Sequence, residues 1–226
     1  MKKGFTLAEV LITLGIIGVV AAITLPTLVA SYKKRVVENR LKYSYSLLNQ
    51  VVNSAQVDYG DLSTWDYTLD TSDFIQKYLA PYLKSAINDK ELFLWGDLPR
   101  REFSFVNGTK WTIVKLRTLD YFFVIINVDI NGKAKPNKQG IDIFNFYIFP
   151  EQRAVYNCGN GDVARNIPKP GIYYDGYGIY DNFNKFYRGC GYKNPNGPTY
   201  HSVNSYCIAL IVRNNWKIPD DYPLKF

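Results

Sequence analysis

The chain has 226 residues and a net charge of +7, with 47% hydrophobic and 21% charged residues. This balance is close to that of ordinary globular proteins, which excludes a wholly disordered chain and a protein with many membrane spans. A single histidine, His201, excludes a multi-histidine metal site, and three cysteines are too few for a zinc ribbon. The mild basic excess does not by itself indicate nucleic-acid binding.

The N-terminal segment departs from these averages. Residues 5–30 are almost entirely apolar and carry one charge, Glu9. As a helix this run would be roughly 39 Å long, and the hydrocarbon core of a bilayer is about 30 Å thick. Two lysines in residues 1–4 favour a cytoplasmic start. Lys33, Lys34 and Arg35 beyond the run oppose that orientation, and we give the N-terminal lysines precedence.

Two ordinary interpretations of this segment are a secretory signal peptide and a plain transmembrane anchor. The apolar run is longer than the 7–15 residues of a signal peptide, and no small-residue cleavage site follows it. A plain anchor leaves Glu9 unexplained, because acidic residues inside a span are costly and are usually paired and functional.

Residues 3–9, Lys-Gly-Phe-Thr-Leu-Ala-Glu, resemble the signal of type IV prepilins and type II secretion pseudopilins. The resemblance covers about the first 30 residues. It implies that a prepilin peptidase cleaves after Gly4 and that Phe5 is then N-methylated. Residues 1–4 would be the leader peptide, and residues 5–30 the transmembrane and assembly helix.

Glu9 has a physical role in this scheme. After cleavage, Phe5 would carry an α-amino cation, and a carboxylate buried in a bilayer or filament needs such a partner. Glu9 lies four residues from Phe5, on the same helical face. It would neutralise its own amine or that of a neighbouring subunit, and the resemblance favours the neighbour. The alternative is that Glu9 is merely tolerated near the membrane interface.

Gly15, Gly18 and Pro26 predict the softest part of this helix. Proline removes one helical hydrogen bond and favours a kink, and each glycine lowers helix propensity. The resemblance implies a region that can stretch or melt in a filament. Close helix packing through small residues is the other interpretation.

The remaining sequence predicts an α+β pilin-like fold. Residues 31–57 continue the helix amphipathically, and residues 58–226 form an extracytoplasmic globular domain. A second helix is expected over 71–87, capped by Thr71, Ser72 or Asp73 and interrupted at Pro81. Alternation and the Asn107-Gly108 turn predict four antiparallel strands over 102–149, packed on the long helix. The apolar residues of the helical stripe are Val37, Leu41, Tyr45, Leu48, Val52 and Ala55.

The connection over residues 128–142 also resembles a loop of pseudopilin-like proteins. Asp129, Asn131 and Asp142 carry oxygen atoms of the kind that calcium prefers. The loop lacks the ligand pattern of an EF-hand, and its lysines weaken a cation site. A tight turn capped by these side chains is the favoured interpretation, so no cofactor is expected, with calcium as the alternative.

The C-terminal part is rich in glycine, proline, asparagine and tyrosine. Residues 171–192 would bury their aromatic rings on the sheet or, alternatively, bind a ligand. The apolar run over residues 208–212 predicts a strand.

The turn-rich stretch 194–198 predicts a disulfide between Cys190 and Cys207, with Cys158 free or intermolecular. A cysteine nucleophile with His201 lacks an acidic partner, so no enzyme is expected.

These observations predict a structural subunit of a type IV pilus or a type II secretion pseudopilus. Its expected partners are other pilin subunits, the prepilin peptidase, the inner membrane and the assembly platform. It would wait in that membrane and then polymerise through its apolar helix. The alternative is an anchored binding module, such as an adhesin or a DNA-uptake pilin, although nucleic acid is not expected.

Overall fold

A computed structural model describes residues 4, 6–94, 98–117, 121–132, 134–155, 165–177, 189–191 and 204–226. The first element, α1 (Leu7–Tyr59), is a single helix of 53 residues. Thr6 caps its start, and Gly60 ends it with a φ of +79° that favours glycine. The long helix predicted from residue 5 onward is therefore confirmed, and it runs two residues beyond the expected end at residue 57.

Only the second half of α1 takes part in the folded domain. Side chains up to Arg35 are exposed or half-buried, and the first buried one is Val37. The buried face includes five of the six predicted stripe residues, whereas Tyr45 is half-buried and stacks on Phe146 with 5.6 Å between ring centroids. The buried residues of α1 are Val37, Leu41, Ser44, Leu48, Val51, Val52 and Ala55.

The second helical region is shorter than the sequence predicts. Helix α2 (Thr71–Tyr78) is followed by a 3-10 turn at Ala80–Tyr82. The region therefore forms two short pieces, which confirms the predicted interruption at Pro81. The N-cap is Asp70 rather than Thr71, Ser72 or Asp73, because its carboxylate accepts from the Asp73 N–H at 2.8 Å. The helix does not reach residue 87.

A six-stranded antiparallel sheet forms the rest of the core. The predicted strands over 102–149 correspond to β2 (Leu98–Phe105), β3 (Lys110–Arg117), β4 (Phe122–Asp129) and β5 (Ile143–Phe149). Two further strands extend the sheet at its edges, β1 (Ala86–Leu94) and β8 (Gly171–Tyr174). Strands β6 (Arg153–Val155) and β7 (Arg165–Ile167) form a separate hairpin. The sheet order is β1-β2-β3-β4-β5-β8.

The predicted sheet of four strands therefore lacked the two edge strands, β1 and β8. Strand β1 pairs with β2, but its central residues Asp89, Lys90 and Glu91 are charged and exposed. Such a segment shows no apolar alternation, and charges on an edge strand protect it from pairing with other chains. Strand β8 has four residues, which is too short for a periodic signal.

The helix and sheet enclose one main hydrophobic core. Buried residues on β4 and β5 stand opposite each other, as in the pairs Val124–Ile148 and Ile126–Phe146. The opposite face of the sheet carries a smaller aromatic cluster around Phe149 and Tyr173. The largest fully buried side chains include Trp111, Tyr206, Phe74, Phe103, Phe144 and Phe146.

The C-terminal region differs from its predicted strand. Residues 207–213 form α3 (Cys207–Arg213), a buried helix. A short apolar run cannot be assigned to strand or helix by periodicity alone, and tertiary packing decided this one. The disulfide Cys190–Cys207 is present, which confirms the predicted pairing. Cys158 lies outside the described residues.

The C-terminal tail fastens the helix to the β4–β5 connection. The Ile218 N–H donates to Glu38 of α1 at 2.8 Å, and Trp216 stacks on Tyr45 at 4.8 Å. The buried Tyr222 hydroxyl donates to the Gly140 carbonyl. The tail therefore holds the long helix against the sheet.

Candidate functional site

The first half of α1 is an apolar surface that the folded domain leaves uncovered. Among the described residues, α1 is the one helix long and apolar enough to cross a membrane, and its most apolar stretch has no buried residue. Leu7 is 77% exposed and Ile23 is 69% exposed. An apolar surface of this extent marks a membrane or protein contact rather than a solvent-facing face.

Glu9 closes the first turn of this helix. Its Oε2 accepts from the Thr6 N–H and from the Thr6 hydroxyl, both at 2.8 Å. The Glu9 N–H donates in turn to Thr6 Oγ1 at 3.3 Å, so the two residues form a capping box. Within the described residues, Oε1 accepts no hydrogen bond. The carboxylate can thus cap the helix and still receive a cation.

Thr6 is the N-cap of α1, and the sequence analysis did not identify it. The spacing Thr6-x-x-Glu9 is the signature of a capping box, and it was visible in the sequence. The expected partner of Glu9, Phe5, lies outside the described residues. The pairing of Glu9 with the Phe5 amine therefore stays a prediction.

Gly4 is exposed and precedes the helix, two residues before its N-cap. Cleavage by a peptidase requires backbone that is not held in a helix. Gly4 thus lies outside the helix, and cleavage after it stays a prediction.

Gly15, Gly18 and Pro26 lie inside a helix that continues through them. A Cβ added at Gly15 or Gly18 would meet nothing within 4 Å. The chain by itself therefore gives no steric reason for glycine at these positions. Packing against another helix and softness of this segment therefore both stay predictions.

The predicted oxygen ligands Asp129, Asn131 and Asp142 do lie together, at the connection between β4 and β5. Asp142 is buried, and its carboxylate accepts from the Asn137 N–H at 2.8 Å, the Lys138 N–H at 2.5 Å and Asn131 Nδ2 at 3.2 Å. Asp129 Oδ1 accepts from the Gly132 N–H at 2.8 Å. These carboxylates cap backbone groups of a turn.

This arrangement fits a bound cation poorly. N–H donors occupy both oxygens of Asp142, and desolvation raises the pKa of the Asp129 carboxyl. The described residues contain no group of three or more histidine, cysteine, aspartate or glutamate side chains placed to hold a metal. The hydrogen bonds of these carboxylates are those of a capped turn.

We expect calcium to leave the thermal stability of the protein unchanged. A cation that binds only the folded state raises the unfolding temperature by mass action, and this loop offers it no free carboxylate pair. Melting curves of the full chain in detergent, with excess calcium and with a chelator, provide the measurement. A higher melting temperature in calcium, abolished by Asp142→Asn, would show that the loop does bind the ion.

The aromatic segment packs on the sheet in its described part. Tyr173 is buried, and Tyr177 stands edge-on to it at 4.7 Å. Residues 178–188 and 192 lie outside the described residues, as do Cys158 and His201. The rings at 171–177 therefore contribute to the fold.

The comparisons with known proteins agree with the geometry of the N-terminus. A family model described as the prokaryotic N-terminal methylation motif matches residues 1–25, which confirms the prepilin-type signal. A second model, described as a family of unknown function, DUF6613, matches residues 27–226. No curated protein and no solved structure matches the chain. The motif indicates a pilin-like or pseudopilin-like protein, and prepilin-like proteins as a class are structural. The motif and the apolar helix are consistent with membrane anchoring.

Proposed function

This chain belongs to the DUF6613 family, and we propose that it is a structural subunit of a type IV pilus or type II secretion pseudopilus. One observation carries the proposal. The folded domain covers only the second half of α1, and the exposed first half bears a methylation motif and a single acid. The same surface suits a bilayer before assembly and a bundle of helices afterwards.

The first step is processing. A prepilin peptidase on the cytoplasmic side removes Met1–Gly4, and Phe5 receives a methyl group on its new α-amine. The exposed, non-helical position of Gly4 supports this step. Removal of two lysines also lets the helix end move into an apolar environment at lower cost.

The second step is assembly. Residues 7–29 make a rod of roughly 35 Å, enough to cross a hydrocarbon core of about 30 Å. Leaving the bilayer would expose this apolar surface, and packing against other copies covers it again. Glu9 gives the packing a register, because its carboxylate needs the amine of a neighbouring Phe5.

Intact-mass analysis of the chain from cells with a prepilin peptidase tests the proposal. We expect the loss of Met1–Gly4 and the gain of one methyl group on Phe5. Cells without the peptidase are the control, and they should yield the full chain. Gly4→Leu, which alters an exposed position outside the fold, should also block cleavage. An uncut N-terminus in the assembled protein would contradict the proposal.

A further inference from the structure

A pocket of about 430 Å³ opens where the long helix enters the folded domain. Its walls come from α1, from the β4–β5 connection and from the end of the chain. Val36 and Val37 line one side, and Ile141 and Phe226 line others. This volume lies within the usual range for sites that bind small molecules, roughly 300–1,000 Å³.

Three lysines reach this apolar pocket from the three segments. Lys33 lies on α1, Lys135 lies in the β4–β5 connection, and Lys225 lies in the tail. All three are exposed, and none forms an ion pair with the residues that the structure describes. Asp142 is the acid in the lining, and N–H donors occupy both of its oxygens. The three lysines therefore outnumber the one acidic side chain of the lining, which favours an anionic ligand.

The position of the pocket along α1 is informative. Its first lining residue is Tyr32, two positions after the apolar run that ends at residue 30. If residues 7–29 cross the bilayer, Tyr32 and Lys33 lie at the level of the lipid headgroups. Tyrosine is enriched at this boundary, and lysines near the end of a membrane-spanning helix extend their ammonium groups to it. Lys34 and Arg35 add two more cations on the next positions of the helix.

We propose that this pocket binds the headgroup of an anionic phospholipid in the membrane that holds α1. The lysine ammonium groups surround the phosphodiester, and the apolar walls contact the glycerol and the upper acyl chains. The inference rests on the proposed function, because it requires α1 to cross the bilayer. It assigns a ligand to a pocket that lies outside residues 4–29, on which the proposed processing and assembly steps rest.

Lysine acylation of the full chain in nanodiscs tests this inference. One set of discs holds phosphatidylcholine only, and the other holds three parts phosphatidylglycerol to seven parts phosphatidylcholine, with one chain per disc. A juxtamembrane lysine contributes about fivefold to binding of an anionic surface. Lys33, Lys135 and Lys225 should therefore react at least about fivefold more slowly in the anionic discs.

Lys77 is the internal reference for the labelling rate. It is exposed and lies over the Tyr59 ring, at the other end of α1, so its rate should be the same in both discs. Lys135→Glu combined with Lys225→Glu should remove the protection of Lys33. The matched control is Lys84→Glu, which reverses the charge of another exposed lysine. Lys84 lies two residues after Tyr82, whose hydroxyl donates to Asp58 near the C-terminal end of α1. It should leave the protection intact.

The acylation rates distinguish a lipid site from its alternatives. Protection of Lys33 in anionic discs that is lost in the Lys135→Glu, Lys225→Glu double variant and kept in Lys84→Glu supports the inference. Protection that survives in the double variant would come from the charged disc surface, which 1 M salt screens beyond about 3 Å, and would overturn the inference. Equal labelling in both discs, with the chain still inserted, overturns the lipid site but leaves the proposed function standing. Failure of the chain to insert contradicts the proposed function itself. Protection that requires two chains per disc would identify a second copy as the occupant and would also overturn the inference.

Discussion

Replacing Glu9 by alanine is expected to reduce incorporation into filaments at least about tenfold while leaving the chain in the membrane. The substitution makes the first half of α1 uniformly apolar, so insertion does not suffer. It removes the only acid that a neighbouring Phe5 amine can meet in residues 5–30. Sheared filaments and membrane fractions from the same cells, compared by immunoblot, give the two quantities.

The capping box allows the charge of Glu9 to be separated from its role as a cap. Glu9→Gln keeps an oxygen that can accept from the Thr6 N–H but removes the negative charge. Thr6→Ala removes the hydroxyl that caps the helix but keeps the charge. If the charge sets the register, Glu9→Gln fails like Glu9→Ala, and Thr6→Ala assembles.

The reverse pattern would assign a different role to Glu9. Normal assembly of Glu9→Gln with failure of Thr6→Ala would show that the helix cap, and not an ion pair between subunits, matters. Normal assembly of Glu9→Ala would remove the acid from the assembly mechanism altogether.

Gly140→Ala is expected to destabilise the folded domain by about 3 kcal/mol, which corresponds to a melting temperature roughly 10 °C lower. Gly140 has a φ of +81°, a conformation that costs other residues energy. An added Cβ would also lie 2.8 Å from Cys207 Sγ and 2.9 Å from Leu224 Cδ1. Cys207 cannot move easily, because it is buried and joined to Cys190 by the disulfide.

Gly108→Ala is the matched control for this experiment. Its φ of +83° is nearly the same, but the nearest atom to an added Cβ is Arg40 Nη1 at 3.7 Å. Both variants place alanine at a positive φ, but only Gly140→Ala also adds close contacts. Gly108→Ala should therefore lower the free energy of unfolding by only about 1 kcal/mol. Thermal unfolding of the full chain in detergent, followed by near-ultraviolet circular dichroism, gives both values. Equal losses would show that packing around Gly140 contributes little.

Much of the fold could be predicted because its signals are local. The helix of 53 residues followed from one apolar run and one stripe, and the β2–β3 hairpin followed from Asn107-Gly108. The edge strand β1 did not follow, because its exposed charges carry no alternation. The strand predicted over 208–212 was wrong, because these residues form part of helix α3. Five apolar residues suit either a buried strand or a buried helix.

The sequence by itself determined the N-terminal features, which are the prepilin-type motif, the single acid Glu9 and the apolar run around it. Each of these features consists of residues that lie close together in the sequence, so the order of residues along the chain is sufficient to define it. The tertiary structure decided how the β4–β5 loop uses Asp142 and which lysines share a pocket. Lys33, Lys135 and Lys225 are far apart in the chain, and only the packing of the tail and loop against α1 brings them together.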